Sequence, residues 1–390
     1  MLALMCEAFR LPFASARGPF YHDPYFDPDN KRVLVEDGVV VSCLTIVPRT
    51  MWIGDAAVRV AGIADVGTLQ SHRGQGRATK LLTDTIGLLR SRGFGYCALF
   101  PYSYDFYRPL GWEQCSLQYS LRIPRRAIPS FADARYVRKA MPADRPEVAD
   151  LYEATSRGKS GRFVRDEKRW TYLFDYIKHN LVYKRQRIEG YAIYEPAEPS
   201  SELKHLRMVE MVVSSDRAER GLLGHLANRE QNHDQFEYTS GWQDLAASGL
   251  PALSACFNGD GVQVESVPGA MFRLIDFKQA LDDLKSNFRG FNGMVSLVMA
   301  DPFISETGPQ AVTIEGDGKD VDLRVATEAE NARRRISGDV RGWTPVLLGF
   351  HSLPDAVALG RLQPFSEATA AQSASLFPRR SPFVPSADHF

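Results

Sequence analysis

The chain has 390 residues, enough for two or three domains that each bury a core. Apolar residues make up 44% and charged residues 24%, ordinary globular usage that excludes wholesale disorder and fibrous repeats. Lys plus Arg and Asp plus Glu stand at 47 each, so no overall positive field exists to hold nucleic acid, and the run Arg333-Arg334-Arg335 reads as a solvated face.

Met1 to Arg10 has the pattern of an amphipathic helix end. Gly18 to Asn30 carries three prolines and four aromatics (Phe20, Tyr21, Tyr25, Phe26) and reads as a loop with stacking surface. Lys31 to Glu36 is β-rich and meets Val39 to Val47 across Asp37-Gly38, a dipeptide suited to a tight hairpin. Val58 to Leu69 reads as a further strand. Arg77 to Arg92 places Ala78, Leu81, Leu82, Leu88 and Leu89 at helical spacing, and Tyr96 to Phe100 follows as a strand.

Pro124 to Pro142 reads as a linker, and a second unit begins near Ala143. Its strands Gly190 to Glu195 and Leu206 to Ser214 lead into a helix over Arg217 to Gln231, which repeats the order of the first unit. A third segment opens at the apolar string Met271 to Asp276. It continues with a helix from Lys278 to Leu284, strands Met294 to Met299 and Ala311 to Glu315, and a hairpin turn at Gly316-Asp317-Gly318-Lys319.

Cys6, Cys43, Cys97, Cys115 and Cys256 are scattered without a C-x-x-C pair, so neither a zinc site nor a disulfide framework is implied. The opening Met1 to Met5 is short, lacks a basic flank and is soon followed by Glu7, unlike a signal peptide. No apolar stretch reaches the ~20 residues of a membrane span. Cytoplasmic residence is the expectation.

The chemistry-bearing motif is Arg73-Gly74-Gln75-Gly76-Arg77-Ala78, placed between a strand and the start of a helix. Its glycines remove the Cβ atoms that would block close approach, and successive backbone N–H groups at a helix N-terminus suit a diphosphate. The second unit has Asp216-Arg217-Ala218-Glu219 in the matching place, without glycine, and reads as a structural copy.

With the downstream Phe106-Tyr107-Arg108-Pro109-Leu110-Gly111-Trp112, this loop resembles the paired motifs of the GNAT acetyltransferases. Over nearly its whole length the chain is similar to the enhanced-intracellular-survival (Eis-like) acetyltransferases. The resemblance implies an α+β protein of tandem GNAT-like mixed α/β units followed by a sterol-carrier-like domain, at 1–128, 129–275 and 276–390, and commonly a homohexamer. It implies acetyl-CoA as co-substrate, held by Val66, Gly67 and Thr68 on the strand, by Arg73, Gly74, Gln75, Gly76, Arg77, Ala78 and Thr79 on the loop, and by Tyr102 and Ser103. The chain opens directly in the family's first helix, so the strand that precedes it there is expected to be missing. Aminoglycoside-active members are similar in carrying an acidic residue just before the terminal residue, where this chain has His389, a departure that leaves antibiotic acetylation open.

The implied reaction is direct attack of a neutral primary amine, from a small molecule or a lysine-like acceptor, on the thioester, with strand N–H groups near Val66 stabilising the oxyanion and no metal. The resemblance makes Tyr107 the general acid for the leaving thiolate and the terminal carboxylate of Phe390 the general base. The tail itself agrees, since Pro382 and Pro385 stiffen it and a terminal aromatic suits an apolar crevice better than solvent. His72 reads as a solvated turn residue. His22, Tyr21, Tyr25 and Phe26 either line an acceptor pocket or pack a lid, and Asp65 either supplies a carboxylate to the acceptor or faces solvent. The competing reading is a hydrophobic-ligand carrier, or an interaction scaffold, with a relic first domain.

Overall fold

The computed structural model describes residues 1–23, 25–176, 179–196, 205–229, 234–241, 261–304, 308–327 and 334–390. Cys256, Arg333 and Gln231 lie outside the described residues. The chain divides into two compact units, one of residues 1–115, 270–380 and 390, the other of residues 116–269 and 381–389.

The first unit opens with helices α1 (Leu2–Phe9) and α2 (Phe13–His22), then strands β1 (Lys31–Glu36), β2 (Val39–Ile53) and β3 (Ala56–Thr68). Asp37 and Gly38 take φ of 49° and 76°, the paired left-handed conformations of the hairpin turn that joins β1 to β2. The stretch from Gly18 to Asn30, expected as loop, is helical as far as His22. Its aromatics do stack: the Phe20 ring centroid lies 5.0 Å from that of Tyr21 and 5.7 Å from that of Phe26. Helix α3 (Arg77–Ser91) leads to β4 (Tyr96–Leu99), which pairs parallel to β3. Leu81, Leu82, Ile86 and Leu89 of α3 bury their stripe against Leu44, Ile46, Ala61 and Ile63 of β2 and β3. At ~25 cal/mol per Å², each such fully buried side chain contributes roughly 2 kcal/mol to holding α3 on the sheet.

Strand β5 (Glu113–Gln114) closes this stretch of chain, and β6 (Leu117–Pro124) already belongs to the second unit's sheet. The segment expected as a linker holds β7 (Val137–Lys139), which pairs with β8 (Asn180–Lys184). β9 (Ile188–Glu195), β10 (His205–Val213), β11 (Gln235–Ser240) and β12 (Gln263–Pro268) complete a sheet ordered β12-β6-β11-β10-β9-β8-β7. Helices α5 (Arg145–Ser156) and α7 (Asp216–Arg229) pack on it, with the short helices α4 (Tyr104–Tyr107) and α6 (Glu167–Thr171) elsewhere in the chain.

The apolar string at Met271, expected to open the third segment, is β13 (Met271–Leu274), inserted between β4 and β5 of the first sheet. A four-residue buried run carries no periodicity that names its partner; the open edge of β4 takes it. Arg273 pins it: fully buried, it donates to the Leu110 carbonyl at 2.8 Å and to both Asp301 oxygens at 2.9 and 2.7 Å. The remaining sheet, also in the first unit, is ordered β16-β15-β14-β17-β18, from β14 (Asn292–Ala300), β15 (Gln310–Asp317), β16 (Val321–Val325), β17 (Arg335–Asp339) and β18 (Leu362–Pro364). The expected hairpin turn after Gly316 joins β15 to β16. Among the described residues no helix is long and apolar enough to cross a membrane, and no group of three or more His, Cys, Asp or Glu is placed to hold a metal ion.

Candidate active site

The parallel pairing of β3 with β4 ends at Ile63 and Leu99, while β3 runs on to Thr68. The two strands therefore part, and Val66, Gly67 and Thr68 present an edge that β4 does not cover. A β-bulge at Cys43/Thr45 of β2 sits opposite, where Asp65 takes a φ of 55°. A bulge re-aims side chains, and a non-glycine residue held left-handed costs of order 1 kcal/mol.

Beyond Thr68 the glycine loop turns into α3. Gly74 and Gly76 have φ of 71° and 76°, and a Cβ built on either would meet nothing within 4 Å, so the space a diphosphate needs is open. Gly76 caps α3 without a side-chain hydrogen bond, which leaves the first helical N–H groups to a ligand. Arg73 braces the loop from below, donating through Nε to the Thr68 carbonyl and through Nη2 to the Ala8 carbonyl, each at 3.2 Å. Arg77 is paired with Glu36 at 2.9 Å.

Around this loop lies a cavity of about 640 Å³. Of the residues expected to hold acetyl-CoA, Val66, Gly67, Thr68, Arg73, Gly74, Gly76, Arg77, Ala78, Thr79 and Tyr102 line it, and Gln75 and Ser103 do not. Ala8, Phe9 and Phe106 also line it, unforeseen because α1 and α4 reach the loop only through the fold; His72 lines it as well. The open glycine loop at the uncapped start of α3 has the room and the backbone N–H groups that fit a diphosphate.

Tyr107 stands one ring behind the cavity wall, its centroid 4.9 Å from that of Phe106 and 5.8 Å from that of Tyr102. Burial, with a smaller contribution from Tyr102, pushes its pKa well above the ordinary tyrosine value, so it is a protonated phenol at neutral pH. Cys43, on the same strand pair, is pushed up to about 12 by burial and remains a thiol rather than a nucleophile.

The terminal residue lies in this unit too. An ideal Cβ on Gly62 would come within 2.6 Å of the Phe390 ring, and the ring's centroid is 5.3 Å from that of Phe100. Phe390 is therefore seated on β3, one residue before the point at which β4 leaves it. A glycine inside the strand pattern of residues 58–69 is the sequence signal for such an approach. The residues just before it are otherwise engaged: Asp388 accepts from Arg165 Nε and Nη2 at 2.9 and 2.8 Å, and both side chains are fully buried.

In the second unit the N-terminus of α7 faces a carboxylate. Glu189 accepts from Arg217 at 2.7 and 2.6 Å and from Ser215 at 2.7 Å, and the Arg217 hydrogen bond holds it below the usual carboxylate range. This carboxylate stands beside the start of α7, bound to the side chains of Ser215 and Arg217.

Family models for an acetyltransferase (GNAT) domain match residues 1–115 and again 161–273, and one for a sterol carrier protein domain matches 278–385. The chain carries two GNAT acetyltransferase domains and a sterol-carrier-type domain. An uncharacterized N-acetyltransferase of Streptomyces avermitilis is 22% identical, the alignment covering 96% of this chain and 92% of the relative. Among solved structures, a GCN5-related N-acetyltransferase from Anabaena variabilis matches with a TM-score of 0.81 at 19% identity, covering 100% of this chain and 96% of that one. Eis1 from Mycobacterium abscessus matches with 0.72 at 18% identity, covering 100% and 96%. These likenesses fix the mixed α/β fold of the tandem GNAT units, and the first unit's glycine loop stands in the GNAT domain matched at 1–115.

Proposed function

We propose that the protein is an acetyl-CoA-dependent N-acetyltransferase of the Eis type, in which the terminal carboxylate of Phe390 is the general base and Tyr107 the general acid. The observation that carries this reading is the seat of Phe390 on Gly62 beside the parting of β3 from β4. Acetyl-CoA, held by the glycine loop and by Val66 to Thr68, supplies an activated acetyl group. The Phe390 carboxylate takes the proton that an acceptor ammonium must lose before it can attack. A free terminal carboxyl has a reference pKa of ~3.5, so the apolar seat must raise it or an ordered water must relay the proton. Tyr107, a neutral phenol as any tyrosine is at neutral pH, gives a proton to the departing sulfur. The acceptor on this reading is a primary amine, the working form a homohexamer in the cytoplasm, and the GNAT domain at 161–273 is structural.

Amidating the C-terminus removes the charge and keeps the ring, whereas Phe390→Leu keeps the carboxylate and loses most of the stacking. Amidation is expected to lower kcat by about 10² to 10⁴-fold, the loss typical of a general base, with Phe390→Leu much milder. Full turnover in the amidated enzyme rules the carboxylate out. The sterol-carrier match favours one second reading, a carrier with a relic first domain, and it requires that calorimetry find no acetyl-CoA binding at all.

A further inference from the structure

On β2, Leu44 and Ile46 face α3, so Cys43, Thr45 and Val47 face the opposite side of the sheet, where Cys43 packs against Leu4 and Met5 of α1. On β3, Ala61 and Ile63 share the α3 face, which puts Gly62 and the Phe390 ring on the α1 side. Along that side run two cross-strand rows: Lys31, Thr45 and Ala64, with Asp65 beside them at the bulge, and then Val47 with Gly62 beneath Phe390. Two residues of strand separate the rows, a distance of about 7 Å.

The first row is a built ammonium site with an ammonium already in it. Lys31 Nζ donates to Thr45 Oγ1 at 3.0 Å and lies 3.7 Å from Asp65 Oδ2, which itself accepts from Thr45 Oγ1 at 2.7 Å. Nζ sits over the Phe20 ring at 4.6 Å and the Phe26 ring at 5.4 Å. Carboxylate, hydroxyl and two aromatic faces are the groups that recognise an amine cation. The Lys31 side chain is 13% exposed but Asp65 keeps 30% of its surface open, so the carboxylate is reachable from solvent while its resident cation is shielded. The strained φ of Asp65 holds it there.

We propose that Lys31 is a built-in pseudo-acceptor: it fills an ammonium site made by Asp65, Thr45, Phe20 and Phe26, and so turns the enzyme against acceptors that carry a second positive charge. This rests on the acetyl-transfer reading of the same unit. A diamine held at the Phe390 end of this face would extend its second nitrogen along the strands toward Asp65, where it meets Lys31 instead. Selection is then for amines whose remaining body is neutral or anionic.

The test compares 1,5-diaminopentane with pentylamine on the full chain, in the wild type, Lys31→Met, Lys31→Gln and Lys31→Met/Asp65→Asn, with melting curves to show that each variant is folded. Calorimetry with coenzyme A present reads binding; thiol release from acetyl-CoA reads turnover. Either Lys31 replacement is expected to tighten diamine binding, and to raise the diamine-to-monoamine ratio of kcat/KM, by about tenfold, and the added Asp65→Asn is expected to abolish the gain. Unchanged diamine binding in both single variants overturns the proposal, as does a gain that survives loss of Asp65. Tightened binding without any acetyl transfer leaves the ammonium site standing and sinks the acetyl-transfer reading instead.

Discussion

Gly62→Ala adds one methyl group to β3 under the terminal ring. Gly62 does not take a left-handed φ, so its backbone accepts alanine without strain. The added carbon would stand 2.6 to 2.8 Å from three atoms of the Phe390 ring, where ordinary contact is ~3.5 Å or more, so the ring must retreat by about 1 Å. The carboxylate one bond from its Cα moves with it. A displacement of ~1 Å at a catalytic group costs about 10²-fold, so kcat is expected to fall by about 10 to 100-fold. KM for acetyl-CoA should stay within about twofold, because the glycine loop is untouched. Steady-state thiol release measures both constants. A chain ending at His389 supplies the second arm of a double-mutant cycle: once Phe390 is gone, Gly62→Ala has nothing to displace and should be neutral. Full turnover in Gly62→Ala, or an equal loss in the shortened chain, refutes the seat of Phe390 as the reason for the glycine.

Four further outcomes follow from the same geometry. Gly76→Val forces a β-branched residue into a φ of 76° at the cap of α3 and should raise KM for acetyl-CoA about tenfold, with calorimetry as the check. Binding stoichiometry should be one acetyl-CoA per chain, since Asp216 to Glu219 lacks glycine and an anion, Glu189, stands beside the start of α7; a value of two would show that the second GNAT domain binds as well. Asp388→Asn removes one of the two carboxylates that Arg165 pairs with and is expected to destabilise the second unit by about 3 kcal/mol, read as a lowered Tm. Asp144 is held down at about 2, chiefly by its hydrogen bond from Arg138, so its contribution of about 2 kcal/mol is present above the ordinary value of 3.8 and is lost as pH falls through about 2. The Tm gap between the wild type and Asp144→Asn should therefore shrink between about pH 4 and pH 2, and a gap independent of pH would contradict the pairing.

Features fixed by neighbouring residues were legible in the chain alone. Asp37-Gly38 can turn only where two left-handed residues are tolerated, the stripe of leucines from Leu81 to Leu89 can bury only as a helix, and Gly74 and Gly76 clear a helix N-terminus for phosphate because they lack Cβ atoms. The Tyr107 and Phe390 roles came from resemblance, and local pattern by itself said only that the terminal aromatic suits an apolar crevice. Tertiary structure decided what depends on partners far apart in sequence. It placed Met271–Leu274 in the first sheet rather than the third segment, because an open strand edge and the buried Arg273–Asp301 pair accept it there. It brought Phe390 onto Gly62, residues 328 positions apart whose only link is a missing side chain. It also set Lys31 against Asp65, a contact that a hairpin register and a bulge create and that neither residue's neighbours announce. Local chemistry selects the conformation of a few residues at a time; which distant surfaces meet is a property of the whole packed sheet.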